Sequence, residues 1–140
     1  MKRSASAVWS GGLKDGKGVV SAESGVVSSV PYSFSKRFET EKGTNPEELV
    51  AAAHAACFSM ALSLFMANEG LKPESIDTTA TVNFENVNGA WTITESHLKT
   101  MVKSAGASAA AFQKAAEGAK AGCPISRLLN TKITLDAKLA

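Results

Sequence analysis

NPEELVAAAHAACFSMALSLFMANEG, Asn45 to Gly70, decides how the rest of the chain is read. Asn45 is suited to cap a helix and Pro46 to occupy its first position. Glu48, three residues past the cap, completes an Asn version of the capping box. Gly70 stops the helix, and Pro73 forbids its continuation. From Leu49 to Ala67 there is no formal charge, and these 19 residues reach the length of a membrane span. Seven of them are alanine, two are serine and one is histidine, so transfer energy is small, and the left flank is acidic. The span reading is therefore set aside. A helix apolar on every side is otherwise a core helix, buried inside a soluble protein or its oligomer.

Outward from this helix the chain reads mostly as strand. The first 38 residues are expected to form strands: SASAVWSG, then VVSAES after a glycine-rich turn, then VPYSFSKRF with alternating aromatics. The turn, Gly11 to Lys17, matches G-x-x-x-x-G-K, but Gly18 stands where a phosphate loop needs Ser or Thr, and no helix follows. It reads as a hairpin connection. After the helix, SIDTTATVNFENV and AWTITESHLKTMVKSA form a hairpin across Asn88-Gly89, a pair suited to a type I′ turn. Ser108 caps an alanine-rich helix, Cys123-Pro124 opens a short one, and TKITLDAKLA closes the chain as a strand. The expected order is β-β-β-α-β-β-α-α-β in one domain, residues 1–140. Its class is α+β, with mainly antiparallel sheets around a long buried central helix.

Composition removes several functions. With 44% hydrophobic residues, 20% charged and a net charge of +2, the chain is ordinary for a globular protein. Its lysines are scattered, which gives nucleic-acid binding little support. MKRSASAVWSGG has a basic start without an apolar segment and does not read as a secretion signal. Two cysteines are too few for a disulfide scaffold, and reduced thiols in a cytoplasmic protein fit better.

Each cysteine carries two readings. Cys57, halfway along the apolar helix, can be core filler, since free cysteine packs as a small apolar residue. As a nucleophile it needs a cation delivered from elsewhere, because an apolar surround raises a thiol pKa and the helix dipole acts only near the ends. Cys123 can be simply a cysteine packed in a helix-start turn, or, because unpaired amides there favour a thiolate, the better nucleophile of the two on local physics. His54 can be a base for Cys57 one turn away or a satisfied core histidine. His54, Cys57, His97 and Cys123 can also be combined as zinc ligands in a non-enzymatic module, although they come from three distant segments and no C-x-x-C is present. A cysteine hydrolase lacks any local signature.

RFETEKGTNPEELVAAAHAACFSMAL, Arg37 to Leu62, together with AGCPISRLL around Cys123, closely resembles the osmotically inducible protein C (OsmC) family. The similarity extends over nearly the whole chain. The resemblance implies a thiol peroxidase that reduces organic hydroperoxides, related to the organic hydroperoxide resistance proteins. It implies an intertwined homodimer with sites at the subunit interface, and a dithiol reductant of the lipoyl type. No cofactor and no metal is expected, nor a membrane or nucleic-acid partner. By motif, Cys57 is the peroxidatic cysteine and Cys123 the resolving one, with Arg37 and Glu47 as the active-site arginine and glutamate. An arginine supplies the charge that the helix dipole cannot. Phe58, Met60, Leu62 and Phe65 read mostly as core, with some of them candidates for an apolar pocket that takes the alkyl tail.

Overall fold

The computed structural model describes all 140 residues, Met1 to Ala140, in ten elements. The chain divides into two compact units, residues 1–49 and 50–140.

The first unit is an antiparallel sheet in the order β1-β2-β3, formed by Ala5–Ser10, Lys17–Ala22 and Val30–Ser33. The Gly11–Lys17 stretch is the β1–β2 connection, pinned by a Gly16 N–H to Gly12 carbonyl bond of 2.9 Å. Gly18, which spoiled the phosphate-loop pattern, has a structural role. It lies opposite Trp9 on one side and Tyr32 on the other. Those rings pack over it with centroids 5.3 Å apart. A Cβ there would fall 2.5 Å from Tyr32 Cε1 and 2.7 Å from Trp9 Cε3, so only glycine lets the aromatic pair cross the strand.

One expectation fails here. The strand does not run on to Phe38; it stops at Ser33, and Phe34–Phe38 is a short helix, α1. The Ser33 hydroxyl caps it by accepting from the Lys36 N–H at 3.3 Å. Phe34 and Phe38 pack one helical turn apart, their rings tilted and their centroids 4.8 Å apart. Spacing that resembled strand alternation is i,i+4 packing.

Helix α2, Pro46–Asn68, crosses from the first unit into the second. Half of its capping box is as read: Asn45 Oδ1 accepts from the Glu48 N–H at 2.8 Å, but the Glu48 carboxylate accepts from the Thr44 hydroxyl at 3.0 Å instead of reaching back to the Asn45 N–H. Its end is a Schellman turn. Leu71 N–H reaches the Met66 carbonyl at 2.8 Å and Gly70 N–H the Ala67 carbonyl at 3.0 Å, with Gly70 at φ +73°.

In the second unit β4, Ser75–Val87, and β5, Ala90–Lys103, form a long hairpin. Asn88 and Gly89 both have positive φ, as the type I′ turn requires. Strict alternation along β4 turns Ile76, Thr78, Ala80, Val82 and Phe84 away from solvent. Two helices follow, α3 (Ala109–Gly122) and α4 (Pro124–Leu128), and return the chain to β6, Lys132–Leu139. Because the helices carry it back over the sheet, β6 pairs parallel to β5, in the order β4-β5-β6. The other three strand pairings are antiparallel.

The core lies in this unit. Phe58, Leu62 and Met66 of α2 meet Leu98 and Val102 of β5. They also meet Phe112, Ala115, Ala116 and Ala119, which recur at helical spacing on α3. Each large side chain so buried contributes about 1.5–3 kcal/mol. Gly118 and Gly122 let α3 close on Phe65. The burial of α2 is one-sided: Met60 and Leu64 are 77% and 61% exposed, although the helix is apolar all round. By length and composition α2 could cross a membrane.

Candidate functional site

Two groups of candidate side chains stand out, one in each unit. In the second unit the two thiols are neighbours. Cys57, in mid-α2, is half-buried and hydrogen-bonded to the sulfur of Cys123, which is fully buried. Cys123 is at once the C-cap of α3 and the N-cap of α4, with Pro124 behind it. Its own N–H is used at 2.8 Å by the Ala119 carbonyl. Burial raises the Cys57 pKa above its ordinary value, and the hydrogen bond with Cys123 raises it further. The Ile125 backbone N–H, in the first turn of α4, points to the Cys57 sulfur and pulls the other way. Burial wins. The thiol is protonated at neutral pH until a positive charge is brought to it.

His54 is entirely buried one turn before Cys57. Its Nδ1 bonds Ser96 Oγ at 2.7 Å and its Nε2 bonds Ser126 Oγ at 2.8 Å. Burial lowers its pKa, so the ring is neutral. Both nitrogens are therefore occupied, and of its two sequence readings the structure favours the satisfied core histidine. The zinc set does not assemble either. No group of three or more His, Cys, Asp or Glu side chains is positioned to hold a metal ion. His97 bonds Thr134 Oγ1 through Nδ1 at 2.6 Å.

In the first unit, Arg37 of α1 and Glu47 of α2 form a forked pair. Nη2 meets Oε1 at 2.8 Å, and Nε lies 3.2 Å from each carboxylate oxygen. Glu47 is nearly buried, whereas the Arg37 side chain is 36% exposed. The guanidinium also lies 5.2 Å from the centroid of the Phe38 ring. Beside it opens a cavity of about 270 Å3 lined by Trp9, Leu13, Tyr32, Phe34, Arg37 and Phe38. Sequence reasoning missed this apolar pocket, although the aromatics flanking Arg37 were its signal. Of the α2 residues read as core or pocket, Phe58 and Leu62 are core, whereas Met60 projects outward.

The structure thus brings Cys57 to Cys123 and Arg37 to Glu47. A larger groove, about 680 Å3, runs beside α2 along Ala52, Ala55, Ala56 and Ser59 and is floored by β4 and β5 residues. No cysteine lines it.

Comparison with known proteins agrees with the motif. The chain is 54% identical over 131 residues to the peroxiredoxin OsmC of Escherichia coli (strain K12), covering 94% of this chain and 92% of that one. It is 32% identical over 102 residues to the organic hydroperoxide resistance protein OhrA of Bacillus subtilis (strain 168), covering 71% and 70%. Among solved structures, an OsmC-like protein from Mycoplasma pneumoniae shares the fold. Its TM-score is 0.76 at 16% identity, over 100% of this chain and 98% of that one. A family profile described as OsmC-like protein matches residues 39–138, so with these relatives the chain belongs to the OsmC-like family.

Proposed function

We propose that the protein is a thiol peroxidase that reduces organic hydroperoxides to alcohols, acting as a single OsmC-like domain. The observation that carries the reading is the cysteine pair: one half-buried thiol in contact with one fully buried thiol, with an N–H aimed at the accessible sulfur. The names of the relatives, a peroxiredoxin and an organic hydroperoxide resistance protein, support the same chemistry.

The Cys57 thiolate attacks the distal oxygen of ROOH. An S–O bond forms, the O–O bond breaks, and the departing alkoxide takes a proton to become ROH. Cys123 then attacks the Cys57 sulfenic acid, an S–S bond forms, and water leaves. An external dithiol of the lipoyl type returns both thiols to the reduced state and is itself oxidised. No cofactor takes part. Arg37 supplies the charge that opposes burial at Cys57 and can hydrogen-bond the peroxide, while Glu47 fixes its fork. The aromatic cavity beside Arg37 takes the alkyl or aryl tail.

Glu47 and Cys57 stand ten positions apart on one continuous helix, a rise of ~15 Å. A carboxylate that serves the thiol is therefore supplied by a second copy. The exposed Met60 and Leu64 and the small-residue groove along α2 support a homodimer in which α2 packs on its counterpart. In that arrangement α2 is a core helix of the oligomer, and the protein is soluble and cytoplasmic.

Turnover of cumene and tert-butyl hydroperoxide, compared with hydrogen peroxide and with dihydrolipoamide as reductant, tests the activity. Organic peroxides are expected to turn over faster, with a Cys57–Cys123 disulfide found by mass spectrometry. No consumption of any peroxide, or only overoxidised Cys57, overturns the reading.

A further inference from the structure

The peroxide chemistry uses two sulfurs, an arginine and a glutamate, and leaves His54 without a part. Yet His54 is a buried polar residue on the face of α2 that otherwise carries Phe58, Leu62 and Met66. An apolar residue there would avoid the cost of burying an imidazole. The fold instead supplies two serines from distant segments, 42 and 72 positions along the chain, one for each ring nitrogen. In a neutral imidazole one nitrogen donates and the other accepts, so both serine hydroxyls have defined roles.

Ser126 is the consequential partner. It stands in the first turn of α4, three residues after Cys123 and directly after Ile125, whose N–H faces the Cys57 sulfur. Pro124 has no N–H to help anchor the turn, and Cys123 makes no side-chain cap bond. Apart from the contacts of the thiols themselves, the hydrogen bond between His54 and Ser126 joins this turn directly to α2. His54 and Cys57 lie on the same helical face, one turn apart. The ring thus holds α4 at the level of the thiol.

Building on the peroxidase reading, we infer that His54 is a positioning residue for the sulfur pair. Held by Ser96 on β5, it fixes the first turn of α4 through Ser126, so that the Ile125 N–H and the Cys123 sulfur both face Cys57. It does not remove a proton from Cys57, because both nitrogens are committed to hydroxyls. It acts through the backbone of residues 123–126. The two steps it serves are thiolate formation, through the Ile125 N–H, and resolution of the sulfenic acid, through the place of Cys123.

The test begins with Ser126→Ala, which leaves the buried ring in place and removes only its link to α4. The pH dependence of iodoacetamide alkylation at Cys57 is read by peptide mapping. The ratio of Cys57–Cys123 disulfide to overoxidised Cys57 is then read after cumene hydroperoxide. Hydrogen bonds to charged groups set the scale: alkylation at pH 7.5 is expected to slow by about tenfold, with the profile displaced to higher pH. The disulfide share is expected to fall. Ser126→Thr, which keeps the hydroxyl, is expected to restore both readings. His54→Gln, which puts a flexible amide in place of the rigid ring between the two serines, is expected to move both in the direction of Ser126→Ala. A Ser126→Ala profile that superimposes on the wild type overturns the inference, whatever its melting temperature, and so does a folded Ser126→Thr that behaves like the alanine variant. If the wild type itself forms no disulfide with an organic peroxide, the peroxidase reading falls. The alkylation comparison needs no peroxide and still decides the role of His54.

Discussion

Arg37 grips Glu47 with two nitrogens, and this geometry makes the residue more than a charge. A lysine keeps the charge but has no planar fork, so it cannot hold the carboxylate at two points while facing a sulfur. Arg37→Lys is expected to lower turnover by at least about tenfold, the scale of a charge-assisted hydrogen bond, and to raise the pH at which Cys57 alkylates. An unchanged rate and profile would remove Arg37 from the site. His54 gives a second residue-level expectation, this time on stability. Its folded pKa lies below the ordinary 6.5, so above that pH folded and unfolded chains are alike neutral there. As pH falls through 6.5 toward the folded value, the unfolded chain binds a proton that the native chain refuses, and stability is lost. Melting temperature should therefore drop between pH 7.5 and 5.5, and less steeply in His54→Gln. The other group with a lowered pKa, Glu41, titrates at lower pH and does not overlap this window. Equal slopes for the two proteins would show that the ring protonates freely in the fold.

At the scale of the elements, Gly118 of α3 lies tight against Phe65 of α2. A Cβ there would fall 2.5 Å from Phe65 Cδ1 and 2.8 Å from Cε1. Alanine in place of a helical glycine ordinarily gains about 1 kcal/mol, but overpacking of this kind costs about 1–3 kcal/mol. Gly118→Ala should thus be neutral to destabilising, and Phe65→Leu should relieve the penalty when the two are combined. Urea unfolding of both single variants and the pair checks this, and simple additivity would refute the contact. The elements also show what kind of structure a sequence exposes. The α2 boundaries and the β4–β5 turn were legible because their signals are local: Asn45 to Glu48, Gly70 to Ala67, Asn88-Gly89. Helix α1 was not, since Tyr32, Phe34 and Phe38 satisfy a two-residue and a four-residue period alike, and only the Ser33 cap separates them. The parallel pairing of β6 depends on a partner more than 30 residues away in the chain. The same division runs through the site. The neighbourhood of Cys57 and Cys123 and the Arg37–Glu47 pair came from family resemblance, while His54, visible as a polar residue in an apolar helix, gave no sign of Ser96 or Ser126.

For the whole molecule, the decisive proposal is that each thiol is served by the glutamate of another copy. Refolding Cys57→Ser together with Glu47→Ala tests it without a structure of the dimer. With shared sites, every mixed dimer has one intact and one doubly damaged site, and random pairing restores about a quarter of wild-type activity. With sites confined to single chains, every site keeps a lesion and no activity returns. The meeting of Cys57 with Cys123 has a consequence of another kind, in the unfolded chain rather than the folded one. Each turn of the proposed cycle closes a covalent loop of roughly 65 residues, encompassing β4, β5 and α3, and then opens it. Such a loop removes so much freedom from the denatured chain that the oxidised form should be the more stable by up to about 4 kcal/mol. Thermal melts before and after one equivalent of cumene hydroperoxide should therefore differ by many degrees, with the Cys123→Ser variant showing no gain. A cell rich in peroxide would hold this protein in its hardier form, and its reductant would return it to the one more readily unfolded and cleared.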